Sequence, residues 1–168
     1  MNTRRTLPLS LAAIVLLGAA IAAAPGTQEP PRKQRDVSQY NLGKNQLALE
    51  GFDPVAYFAE GGGGALKGLP EIEHLHEGVR YYFASEKNRE LFKKRPERFE
   101  PRYGGWCAFA MAEGKKVEID PKSFHVEGSK LFVFYKSFIN DTRKKWLKNP
   151  VELERQADAA WAEMLRKR

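Results

Sequence analysis

The chemistry-bearing residues of this 168-residue chain are few, and they begin with a single thiol, Cys107, in "YGGWCAFAMAEG". Gly104 and Gly105 permit a tight turn just before it. A helix starting there would put Cys107 in its first turn. Unpaired amides and the helix dipole would then favour the thiolate, as a redox or metal-ligating thiol requires. The alternative is a small apolar side chain packed between Trp106 and Phe109, because free cysteine is among the most buried residue types. With one cysteine, no internal disulfide can form, so a buried residue, a reactive thiol, a ligand and an intermolecular bridge all stay open.

His74 and His76 are the second constellation. On a strand, side chains two apart share a face. Two imidazoles so placed could chelate a divalent ion, with Glu73 or Glu77 nearby, although two histidines do not complete a coordination shell. A metal site in this chain would therefore take Cys107, His74 and His76 as donors. The competing reading of the histidines is exposed polar strand residues. His125, between Phe124 and Val126, is expected to face solvent if those two are core. Asp53 precedes Pro54, a turn signal, and its carboxylate is expected to bond local amides. The many aromatics, Phe52, Tyr57, Phe58, Tyr81, Tyr82, Phe83, Tyr103, Trp106 and Phe109, could line a pocket or fill the core of a small domain. There is no Ser-His-Asp pattern, nucleophile elbow or pair of carboxylates. "EGGGG", Glu60 to Gly64, lacks the Lys-Ser/Thr step of a phosphate loop and reads as a surface loop.

The elements that must position these residues follow from patterning. "EIEHLHEGVRYYFAS" reads as a hairpin turning at Glu77-Gly78. Ser85 then caps a helix that Pro96 stops. "GGWCAFAMAEG" reads as a short helix ending at Gly114. "SFHV", "EGSK" and "LFVFY" read as a second hairpin. Two C-terminal helices follow. In the first, Phe138, Thr142 and Trp146 fall at i, i+4 and i+8. The second opens on Asn149, Pro150 and Glu152 and carries Leu153, Ala157, Ala160, Trp161 and Met164 on one face. The class is α+β: a small antiparallel sheet of two hairpins covered by helices.

The N-terminus reads as export rather than fold. "MNTRR" is followed by the uncharged apolar run Leu7–Ala24 and by small residues, the pattern of a signal peptide over residues 1–24. The run is close to the shortest that spans a bilayer, so an uncleaved anchor is the alternative. Residues 25–46 are polar and proline-bearing and are expected to be a disordered tether, with the domain over 47–168. The expected location is periplasmic or secreted, and membrane-anchored if residues 7–24 are retained. Lys and Arg number 28 against 21 acids, a formal charge of +7. That surplus is interleaved with acids, as on a solvated surface. A basic face could instead meet anionic lipid or an acidic partner. Nucleic acid is not expected as a partner of an exported protein.

In order along the chain, "EGFDPVAYF", "GVRYYFAS…NRELFKKRPERFEPRYGGWCAFA" and "FHVEGSKLFVFY" resemble the YHS-domain proteins, in their exported, single-domain branch. The resemblance covers about Leu47 to Trp161. It implies metal handling, of copper or zinc: short YHS modules fused to copper-transporting ATPases are thought to bind metal through cysteines. Those cysteines follow the Asp-Pro-Val turn, sit in a Phe-Cys-Ser step and recur four residues later. Here the three positions are Ala56, Ala84 and Asn88, so no thiol stands at any of them. The expected function is a non-catalytic binding module whose partner is a metal ion or an envelope protein. A structural or interaction module of an envelope complex is one alternative, and a thiol-dependent redox protein using Cys107 is the other. Membrane contact is expected only through an uncleaved N-terminal segment.

Overall fold

The computed structural model describes Met1 and residues 35–167. Beyond Met1, the signal segment expected at 1–24 and the tether up to residue 34 lie outside the described residues. Residues Lys33–Arg168 form one compact unit that contains its whole core.

The α+β class holds, and both hairpins form. β1 (Leu69–His76) pairs antiparallel with β2 (Val79–Phe83), and β3 (Asp120–Glu127) with β4 (Lys130–Phe134). Each hairpin is a two-stranded sheet of its own. Both loops have two residues. Glu77 and Gly78 take φ values of 45° and 88°, and Gly128 takes 60°, as tight hairpin turns on right-twisted strands require.

The first hairpin turns one face inward. Val79, Tyr81 and Phe83 alternate as buried residues along β2. Residues Leu131 to Phe134 of β4 are buried on both faces. One of those faces meets α4 (Thr142–Trp146): Phe132 and Phe134 lie 5.0 and 5.7 Å from the fully buried Trp146 ring. α1 (Glu86–Lys94) places Phe92 against Tyr81 and Phe83, at 4.7 and 5.3 Å. Ser85 caps α1 by accepting from the Asn88 amide. Pro96 ends that helix and occupies the first turn of the short α2 (Pro96–Phe99). α3 (Ala108–Ala112) follows a 3-10 turn at Arg102–Gly105. α5 (Pro150–Arg166) closes the chain, burying Ala157 and laying Leu153, Ala160, Trp161 and Met164 against the core.

Two expectations are corrected. The described part of the tether, residues 35–46, is docked on the domain. Arg35 grips Glu100 in a two-pronged ion pair, at 2.8 and 2.6 Å. The indole N–H of Trp106 donates to the Gln39 carbonyl at 2.7 Å, and the Asn41 amide donates to the Gly104 carbonyl at 2.9 Å. Tyr40 stands 5.7 Å from Trp161. Gly104, at φ +59°, lets it in: a Cβ there would come within 2.9 Å of the Tyr40 ring and 3.0 Å of Trp161. Local polarity suggested a tether because these partners lie some sixty or more residues away. The second correction concerns Phe138. It does not join the helical face of Thr142 and Trp146, because Asp141 caps α4 by accepting from the Arg143 amide. Phe138 sits in the preceding turn, fully exposed.

Replacing Tyr40 with Ala is expected to destabilise the domain by about 2 kcal/mol in urea unfolding. A free tether would leave the midpoint unchanged.

Candidate functional site

Asp53 is completely buried. Its turn with Pro54 folds the carboxylate back on the following amides: Oδ1 accepts from the Val55 N–H at 2.8 Å and the Ala56 N–H at 3.2 Å. Oδ2 accepts from the Ala84 N–H at 2.9 Å and from the Asn88 side-chain amide at 2.7 Å. Three segments are thereby tied at one carboxylate: the Asp-Pro turn, the end of β2, and the first turn of α1. The partial positive charge of that helix end adds to the attraction.

Ala56, Ala84 and Asn88 are the three positions at which the resemblance places metal-binding thiols. The fold brings all three to the Asp53 carboxylate. Two contribute backbone N–H groups, and the third a side-chain amide N–H. A carboxylate has about four lone-pair directions, and four donors engage them here. A soft metal needs thiolate or imidazole donors converging on one point. The residues present do not fit such an ion: the group of donors faces an anion.

The residues expected to ligate do not converge either. Cys107 is fully buried at the N-cap of α3. Its sulfur lies 3.4 Å from the Thr142 hydroxyl, which itself donates to the Tyr135 carbonyl at 2.8 Å. That leaves the thiol proton to fill the sulfur–oxygen contact. The Cys107 N–H donates to the Val117 carbonyl, and its carbonyl accepts from Met111. The thiol thus bridges α3 to the start of α4 inside the core. It is neither on a surface nor beside an imidazole.

His74 and His76 do share a face, with ring centroids 6.3 Å apart and nearly parallel planes. Both set their edges against Phe92, at 6.2 and 5.9 Å. They are half-buried against α1, whereas Leu75 between them faces solvent. Burial holds the His74 pKa below its ordinary 6.5, and the charges of His76, Lys93 and Arg89 press it lower. The same charges oppose a bound cation. Among the described residues, no group of three or more His, Cys, Asp or Glu side chains is placed to hold a metal ion. The site of Cys107, His74 and His76 is therefore not assembled. The histidines stand on β1 against α1, whereas the thiol belongs to the α3–α4 side of the core.

His125 is half-exposed on β3, while its neighbour Phe124 meets Tyr57 edge-on at 4.8 Å. The aromatics largely form the core: Tyr57, Phe58, Tyr81, Phe83 and Tyr103 are buried. A further polar cluster escaped sequence reasoning. Glu100 receives Arg35 and also the Tyr81 hydroxyl, at 2.9 Å. Burial, followed by the Glu100 charge, pushes the Tyr81 phenol well above its usual range. The two-pronged pair anchors the 35–46 segment, and no local sequence pattern announces a contact spanning 65 residues.

Comparison with protein-family models, curated proteins and solved structures finds no match.

Asp53→Ala would leave three backbone N–H groups and the Asn88 amide without their acceptor, at an expected cost of about 3–5 kcal/mol. Asn88→Ala is expected to cost about 1.5–3 kcal/mol, because one charge-assisted bond is lost. Chemical unfolding of both variants checks the order; equal or negligible costs would contradict the hub.

The lowered His74 pKa means that the folded state binds its proton less readily than the unfolded chain. Its stabilising contribution is present above the ordinary 6.5 and is lost as pH falls through the lowered value. The melting temperature is expected to drop between about pH 7 and about pH 5, with His74→Gln flattening the drop. An unchanged slope in the variant would contradict the assignment.

Proposed function

We propose that the chain is an exported, non-catalytic binding module on a YHS-type scaffold, and that it meets its partner through its surface. The observation that carries this reading is the saturated Asp53 carboxylate. At the three positions where a metal-binding relative would gather sulfur, this chain gathers N–H donors around an anion. Cys107 supports the same reading. Its sulfur is sealed in the core with its proton directed at Thr142, so it links two helical segments. A redox thiol must reach a co-substrate, and this one reaches Thr142 and the surrounding core. The exported setting rests on the N-terminal apolar run, and the YHS scaffold on the ordered motifs from Glu50 to Tyr135. On this reading the interior preserves the fold, and binding falls to exposed residues.

Elemental analysis of the purified protein tests the reading. It is expected to show no stoichiometric copper or zinc and no rise in melting temperature on titration with either ion. Alkylation of Cys107 is expected only after unfolding. One equivalent of metal that disappears in Cys107→Ser or in His74→Ala/His76→Ala would overturn it, as would rapid alkylation of the folded chain.

A further inference from the structure

The segment "KSFINDTRKKW" runs from just after β4 through α4, and its turn is tied by local hydrogen bonds. Lys136 pairs with Asp141 across the turn as an antiparallel bridge. The Ser137 N–H donates to the Asn140 carbonyl at 2.8 Å, and the Asn140 N–H donates to the Ser137 hydroxyl at 3.2 Å. Both flanks are fixed in the core, by Phe134 on one side and Trp146 on the other, each fully buried. The two residues at the apex are Phe138 and Ile139, with relative exposures of 105% and 91%. Nothing among the described residues covers them. A turn this constrained does not fold them back, so two large adjacent apolar side chains are held out in water.

Their surroundings indicate what they meet. Lys136, Arg143 and Lys144 line the same shallow hollow as the apex. The one acid there, Asp141, is committed to capping α4 and receives the Arg143 amide. Among the described residues, none of these three cations forms an ion pair with a carboxylate. Arg143 directs a guanidinium N–H to the Phe124 carbonyl instead, at 3.3 Å. The feature is thus an exposed apolar pair with three cations beside it. A protein interface of ordinary size buries roughly 800 Å² on each side, well beyond what one Phe and one Ile provide. An apolar tip with cations beside it suits the boundary of an anionic bilayer, where the side chains enter the acyl region and the cations stay among headgroups.

We propose that the Phe138–Ile139 turn docks the domain on an anionic lipid surface, with Lys136, Arg143 and Lys144 contacting the headgroups. This rests on the reading of the chain as a surface-binding module and names its partner. It places membrane contact in the folded domain, independently of the apolar run at Leu7–Ala24.

The test is co-sedimentation of residues 33–168, which contain their own core, with vesicles of phosphatidylcholine and phosphatidylglycerol. Omitting the N-terminal run ensures that it cannot supply the binding. The domain is expected to bind these vesicles and to bind phosphatidylcholine alone at least about tenfold more weakly. Phe138→Ser/Ile139→Ser is expected to lower binding about tenfold or more. Lys136→Gln and Lys144→Gln are expected to lower it about fivefold each. Added salt is expected to weaken it. All variants lie at exposed positions, and unchanged melting temperatures would show that they fold. Failure of the parent domain to bind, equal binding by the serine variant, or equal binding to neutral vesicles would overturn the proposal. So would tip-dependent self-association in sedimentation without lipid, which would make a second copy the occupant. Metal analysis is a separate measurement: a metal-free domain that ignores vesicles overturns the tip alone, whereas a stoichiometric metal overturns the underlying reading.

Discussion

One buried carboxylate organises the chemistry of this domain. Asp53 lies in the interior as an acceptor for four N–H groups, two from its own turn and two from the β2–α1 junction more than thirty residues later. A buried charge is costly unless its lone pairs are engaged, and here each oxygen takes two donors. Satisfying that demand dictates local structure. The Asp-Pro turn must close on its own amides, β2 must end with Ala84 facing inward, and α1 must start where Ser85 and Asn88 can face the turn. Phe92 then reaches Tyr81 and Phe83 from α1, and the first hairpin acquires its apolar cover.

The second half of the core depends on apolar burial more than on polar ties. β4 is buried on both faces, with Trp146 closing one of them. Cys107 contributes by size and by one weak bond to Thr142, which links α3 to α4. The N-terminal segment fills the remaining space. Arg35 neutralises Glu100, while Tyr40 enters beside Gly104 and Trp161. The β4–α4 turn, by contrast, leaves Phe138 and Ile139 exposed.

Local signals were legible in the sequence. Glu77-Gly78 and Gly128-Ser129 marked both hairpins, Ser85 marked the start of α1, and Asp53-Pro54 predicted a carboxylate bonded to nearby amides. Those are short-range rules, written in residues a few positions apart. Long-range partners were not legible. Arg35 and Tyr40 look like linker residues until Glu100, Gly104 and Trp161 are placed beside them. The Ala84 and Asn88 donors to Asp53 come from across a hairpin, so only the Val55 and Ala56 half of the hub could be anticipated. Periodicity misled at Phe138, because i, i+4 spacing cannot show that a helix begins only at Thr142. For the candidate metal residues, spacing correctly put His74 and His76 on one face but carried no information about the distance to Cys107.

Native-state hydrogen exchange at the Val55, Ala56 and Ala84 amides tests the Asp53 hub most directly. If the carboxylate ties the three segments, these amides exchange only through global unfolding, and their protection collapses together when Asn88 is replaced by Ala. Fast, independent exchange at any of the three in the parent protein would contradict a shared acceptor and remove the interaction on which the interior is built.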